Sequence, residues 1–202
     1  VNDVSDYWVE QLPLSFDKQY VEAATVFFSE FTDTGCGQAT AQTGPFYCPL
    51  DGKVYFDLEF LQVLQNNFGA TGDLAAQYIV AHEYGHHVQN VLGINEQMRA
   101  AQQQDPARAN RYSVALELQA DCLAGAWARD ADDRALFDDP SEVEEALNAA
   151  AAVGDDRIQA QAGCGPSQGL RPYSLGAASP ALAHQTITMI VPMMGMIPSS
   201  CH

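Results

Sequence analysis

One five-residue segment, His82-Glu83-Tyr84-Gly85-His86, constrains the structure more than any other part of the chain. An α-helix places His82 and His86 on one face, one turn apart, where their ring nitrogens can bind a single zinc ion. Glu83 points about 100° away from His82 around that helix, off the metal but within reach of a metal-bound water. Gly85 leaves room for a neighbouring element to approach closely. The segment therefore predicts a helix with two zinc ligands and one general base, Glu83.

A second acidic pair follows on the next long helix. Glu117 and Asp121 are four residues apart and therefore face the same way. Glu117 is the candidate third ligand of one Zn²⁺ ion, and Asp121 is the candidate acceptor that orients a ligand histidine from behind. The alternative is a pair of solvated helix acids. Apolar neighbours at 115, 116, 118, 120, 123 and 124 argue against full solvation.

Two other residues of the histidine helix are expected to serve the structure. His87 directly follows His86 and points off the metal face, so a structural or exposed role is expected. Tyr84 is expected to lie in the core rather than to donate a hydrogen bond to a reacting oxyanion.

The order of predicted elements indicates an α+β fold that is mainly helical. Strands are expected at 20–31, where a helix is the alternative, and at 53–57, and residues 35–49 are expected to form a loop. The strand at 53–57 is compatible with a sheet edge that pairs with an extended peptide, and equally with an ordinary sheet strand. Helices are predicted at 3–12, 58–67, 73–91, 95–104, 105–129 and 140–152.

Charge excludes one class of partner. The net charge is −17 and the chain has two lysines among nine basic residues, so it lacks the basic surface that binds a nucleic-acid backbone. No segment approaches the roughly 18 consecutive apolar residues that span a bilayer. A length of 202 residues suits one domain.

Five cysteines do not form a metal-binding pattern of closely spaced pairs. Cys36 and Cys48 flank a short Gly- and Pro-containing segment, which predicts a disulfide and hence an oxidising compartment outside the cytosol. The alternative is two buried free thiols.

The composition changes near residue 160. Arg171 is the only charged residue from 158 to 202, although surfaces of folded domains normally carry many charges. We therefore divide the chain into a domain at 1–160 and an atypical, charge-poor tail at 161–202, which is either frameshifted or poorly ordered.

Several short segments recur together in one known family. Over roughly residues 2–160 the chain resembles the bacterial "putative neutral zinc metallopeptidase" family. The segments that carry the resemblance are 36–37, 44–49, 54–57, 68–70, 81–90, 92–94, 116–122 and 145–150.

The resemblance implies a zincin-like domain with a small sheet packed on the active-site helix. It implies His82, His86 and Glu117 as zinc ligands and Glu83 as the base, an arrangement similar to that of gluzincins. Members typically carry a membrane anchor ahead of this domain, absent from this chain, with the catalytic part outside the cytoplasm. If Cys122 pairs as in the family, its partner here is Cys164 or Cys201.

The expected function is zinc-dependent hydrolysis of peptide bonds in a peptide or protein substrate, through a metal-bound water activated by Glu83. The expected location is extracytoplasmic, with membrane association only through the anchor. One alternative is a non-catalytic zinc-binding envelope protein that acts as a chaperone or interaction module, against which the intact Glu83 argues. Another is hydrolysis of a non-peptide amide.

Overall fold

The computed structural model describes residues 1–68 and 70–137, with side chains except those of 67–73. Five α-helices and five short strands make up this part, so the predicted α+β, mainly helical class is confirmed. The helices are α1 (Asn2–Phe16), α2 (Leu58–Phe68), α3 (Ala70–Val91), α4 (Ile94–Gln104) and α5 (Ala109–Asp133). The strands are β1 (Ala24–Phe28), β2 (Phe31–Thr34), β3 (Gly37–Thr40), β4 (Phe46–Cys48) and β5 (Lys53–Asp57).

The three-stranded sheet has the order β1-β5-β4, with β1 parallel and β4 antiparallel to β5. Because β5 is the central strand, the expectation that 53–57 could be a sheet edge is wrong. Successive side chains of a strand point to opposite faces. Val54, Tyr55 and Phe56 are nonetheless all buried, so both faces of β5 are covered.

The chain between β1 and β5 is more regular than expected. The predicted loop at 35–49 contains β3 and β4, and β3 pairs with β2 in a separate antiparallel hairpin. The single strand expected at 20–31 is divided, because Glu30 has a left-handed φ of 65° that breaks the extended backbone between β1 and β2. These strands have only three to five residues, too few for a hydrophobic period to identify them.

Helices α3 and α5 pack against each other, and the sheet packs against α3. Tyr84 of α3 is 1% exposed, and its hydroxyl lies 3.0 Å from the Thr25 hydroxyl on β1. The main core also contains Trp8 and Leu12 of α1 and Trp127 of α5. Tyr84 is therefore a core residue, as predicted.

The Cys36–Cys48 disulfide is present and joins the residue before β3 to the last residue of β4, so the alternative of two free thiols is wrong. The Asp51 carboxylate reinforces this junction: it accepts hydrogen bonds from the Gly35 and Lys53 amides and from the Tyr55 hydroxyl. Cys122 is also disulfide-bonded.

Several predicted features lie outside the described residues: the helix at 140–152, the tail at 161–202, Cys164 and Cys201. Among the described helices, none combines the length and the hydropathy needed to span a lipid bilayer.

Candidate metal centre

Two adjacent helices bring the predicted ligands together. The Nε2 atoms of His82 and His86, on α3, each lie 3.3 Å from Oε2 of Glu117, on α5. One ligand atom from each of the three residues falls within 4.8 Å of the others, as binding of one ion requires. The helical period alone pairs the histidines, whereas Glu117 reaches them only because α5 lies alongside α3.

Gly85 allows that close approach. A Cβ atom added at Gly85 would lie 2.9 Å from the backbone oxygen of Ala120 and 3.2 Å from its Cα atom. Ala120 is itself fully buried, so backbone packs against backbone between Glu117 and Asp121. The expectation that Gly85 makes room for a neighbouring element is confirmed, and that element is α5.

Asp121 contacts the ring nitrogen of His82 that faces away from Glu117. The Nδ1 atom of His82 lies 2.8 Å from Oδ1 of Asp121, and the Tyr78 hydroxyl donates to the same oxygen at 3.3 Å. Burial and the nearby Asp121 carboxylate raise the pKa of Tyr78, so its hydroxyl stays protonated and able to donate. Asp121 thus has the position expected of a residue that orients a ligand histidine.

His86 is held by a residue that the sequence did not single out. Its Nδ1 atom lies 2.9 Å from Oε1 of Gln89, a fully buried side chain three residues further along α3. The signal in the sequence for this contact was the i, i+3 spacing of His86 and Gln89, which places their side chains near each other on a helix. Glutamine at that spacing is too common to be noticed without the structure.

The centre is strongly polarised in its metal-free form. Burial lowers the pKa of His82, but hydrogen bonds to Asp121 and Glu117 outweigh it and raise the pKa to about 10. Burial raises the pKa of Glu117, but hydrogen bonds from His82 and His86 outweigh it and hold the pKa well below its usual value. His82 and Glu117 thus favour each other's charged form, and a bound cation would take the place of the positive charge on the ring.

The predicted base, Glu83, is next to His82 on α3 and is only 2% exposed. Ionisable side chains this deeply buried are uncommon outside functional sites and paired groups. His87 points the other way: it is buried, its Nδ1 atom lies 3.2 Å from the Tyr47 hydroxyl, and its Nε2 atom bonds to the Val21 carbonyl. The predicted structural role of His87 is therefore supported by its contacts.

The donor set fits zinc. Two imidazole nitrogens and one carboxylate oxygen converge, which is the three-ligand set of catalytic zinc sites that keep a fourth position open. Both histidines present Nε2 to the shared point while Nδ1 is held by a neighbouring acceptor, as metal-bound imidazoles require.

A small sheet packed on a helix with two such histidines, and an acidic partner on a neighbouring helix, defines a zincin-like α+β protein. The chain belongs to the family described as "Putative neutral zinc metallopeptidase", whose model matches residues 1–168. That match extends past residue 160, where the resemblance was expected to end.

Proteins similar to this chain include the uncharacterized protein YpfJ of Escherichia coli K12, which is 46% identical over 157 residues, or 77% of this chain and 54% of YpfJ. The uncharacterized protein Rv2575 of Mycobacterium tuberculosis H37Rv is 44% identical over 170 residues, or 79% of this chain and 55% of Rv2575. The chain thus spans about half the length of the curated relatives it matches. No solved structure matches it significantly.

Proposed function

We propose that this chain is the catalytic part of a zinc-dependent metallopeptidase that hydrolyses peptide bonds in a peptide or protein substrate. In this proposal residues 1–160 form the catalytic domain, and His82, His86 and Glu117 hold one Zn²⁺ ion. The observation that carries it is the burial of Glu83 beside the three converging ligands.

When bound, zinc would supply a Lewis acid that polarises the scissile carbonyl and makes water more acidic. The protein's own residues account for proton movement and orientation. Glu83 takes a proton from the attacking water as the new C–O bond forms, and hands it to the amine nitrogen as the C–N bond breaks. Asp121 holds His82 in place from outside the ligand set.

The two half-cystines at Cys36 and Cys48 support an extracytoplasmic location, because disulfides persist in oxidising compartments. Membrane association through an anchor stays a prediction of the family resemblance.

The test uses the full 202-residue chain and the variants Glu83→Gln and Glu96→Gln. Glu96 lies on the exposed side of α4, so its variant makes the same chemical change away from the centre. We measure bound zinc and the cleavage of an unfolded general protein substrate. Glu83→Gln should keep its zinc and lose about 10²–10⁴-fold in rate, whereas Glu96→Gln should match the wild type.

Two outcomes contradict the proposal. Stoichiometric zinc without cleavage by the wild type would favour the non-catalytic zinc-binding module. A wild-type chain that holds no stoichiometric zinc would remove the metal centre itself.

A further inference from the structure

We infer that Gln89 is a positioning residue that fixes the tautomer of His86 and ties it to the turn of α5 that carries Glu117. This inference deepens the proposed function and depends on the ligand role proposed there for His86. It concerns the metal-binding step, so it is measurable without any substrate.

Three hydrogen bonds engage both the oxygen and the nitrogen of the Gln89 amide group, which is fully buried. Its Oε1 atom lies 2.9 Å from Nδ1 of His86. Its Nε2 atom donates to the Leu116 backbone carbonyl at 2.7 Å and to Oε1 of Gln119 at 3.1 Å. One side chain of α3 therefore bonds to the residue before Glu117 and to the residue two positions after it.

The Leu116 carbonyl determines which way the amide points. A backbone carbonyl only accepts hydrogen bonds, so the NH₂ group of Gln89 must face Leu116 and the amide oxygen must face His86. That oxygen also only accepts, so Nδ1 of His86 must carry the hydrogen. Nε2, which faces Oε2 of Glu117 at 3.3 Å, is then the nitrogen that can give up its hydrogen to bind a metal ion.

The two histidines are thus oriented by different chemistry. Asp121 offers a carboxylate to His82, whereas Gln89 offers His86 a neutral amide whose direction is set by α5. A displacement of α5 would move Glu117 and the acceptor of His86 together. Gln89 consequently couples the position of the third ligand to the protonation pattern of the second.

The first test compares zinc affinity among three variants by competition with a chelator. Gln89→Met keeps the length of the side chain and removes all three hydrogen bonds, and we expect it to bind zinc about 10–100-fold more weakly. Gln119→Met removes only the hydrogen bond from Gln89 Nε2 to Gln119 Oε1. The hydrogen bond to the Leu116 carbonyl remains, so this variant should bind zinc as the wild type does. Val88→Ala truncates a fully buried neighbour on α3 and controls for loss of folding stability alone.

The second test observes the His86 ring directly. In zinc-loaded wild-type protein, ¹⁵N NMR of the histidine rings should show a hydrogen on Nδ1 of His86 that exchanges slowly with water, because it donates to the buried Gln89 amide. A folded Gln89→Met protein should lose that slow exchange, whereas Val88→Ala should keep it.

Three results would overturn the inference: a zinc-loaded wild-type His86 without a slowly exchanging hydrogen on Nδ1, a Gln89→Met protein with wild-type zinc affinity, or an equal loss of zinc affinity in Gln119→Met. None of them depends on cleavage of a substrate. The proposed peptidase activity can therefore fail while this inference stands, and the reverse holds as well.

Discussion

The Nδ1 atom of His82 on α3 and the Oδ1 atom of Asp121 on α5 lie 2.8 Å apart, 39 residues away from each other in the sequence. Asp121 does not join the three converging ligand atoms but bonds to the opposite side of the His82 ring. This contact links α3 and α5 on the side of the His82 ring that faces away from the three ligand atoms. Asp121 therefore contacts a candidate ligand, whereas Glu117 is itself one of the three.

Asp121→Asn should weaken zinc binding by about 10–100-fold, because an amide is a poorer acceptor for the ring N–H than a carboxylate. Chelator competition measures the change. Asp133→Asn removes the same charge from the exposed end of α5 and should keep wild-type affinity. Equal affinities in the two variants would show that only net charge matters, not the contact with His82.

Gly85→Ala should destabilise the protein by about 1–3 kcal/mol, because the added methyl group would meet the backbone of Ala120 at 2.9 Å. Urea denaturation measures the free energy of unfolding. Gly125→Ala is the matched control on α5, where an added Cβ meets nothing within 4 Å. Since alanine is more favourable than glycine inside a helix, the free energy of unfolding of that control should rise by about 0.5–1 kcal/mol. A rise in both variants would contradict the close approach of α3 and α5.

Asp3 should make stability depend on pH in the acid range. It joins α1 to the end of α5 by accepting hydrogen bonds from Arg134 at 2.8 and 3.0 Å and from Trp127 at 2.8 Å. The Arg134 hydrogen bond is the main cause that lowers the pKa of Asp3 below its ordinary value of 3.8. A lowered folded-state pKa gives stability that is present above the ordinary value and lost as the pH falls through the folded value.

The wild type should therefore exceed Asp3→Asn by at most about 1 kcal/mol near pH 7, because the ion pair is partly exposed and screened by solvent. The difference should shrink as the pH falls below about 4. Thermal unfolding across pH 2–7 measures it, and Asp6→Asn, on the exposed side of α1, should leave the profile unchanged. A difference that persists at pH 2 would contradict the assignment to the Asp3 carboxylate.

Removing the Cys36–Cys48 disulfide with a Cys36→Ala/Cys48→Ala double variant should cost about 3 kcal/mol, because the bond closes a loop of 12 residues in the unfolded chain. Urea denaturation without reductant measures the cost and leaves the disulfide of Cys122 intact. Gln38→Ala, on the exposed strand β3 inside the loop, serves as the control. An unchanged unfolding midpoint in the double variant would show that the junction of β3 and β4 is held by other contacts, such as those of Asp51.

Local patterns in the sequence were sufficient for the long helices and for the pairing of His82 with His86. A helix of 22 residues repeats its period many times, and the two histidines are related by that period alone. The strands were harder: β5 was predicted with its observed bounds, whereas β3 and β4 were not, because three or four residues carry little periodicity. The sequence also could not show that β5 is the central strand, since strand order depends on pairing between distant segments.

By itself, then, the sequence determined the residue types of the candidate centre and the helix face that two of them share. Only the tertiary structure decided how Glu117 meets the histidines, how Asp121 bonds to His82 and how Gln89 bonds to the Leu116 carbonyl. All three contacts cross between α3 and α5, and they form at these distances because Gly85 lets the backbone of Ala120 come within reach. Such an approach is a nonlocal property of packing, which no spacing along one chain segment encodes.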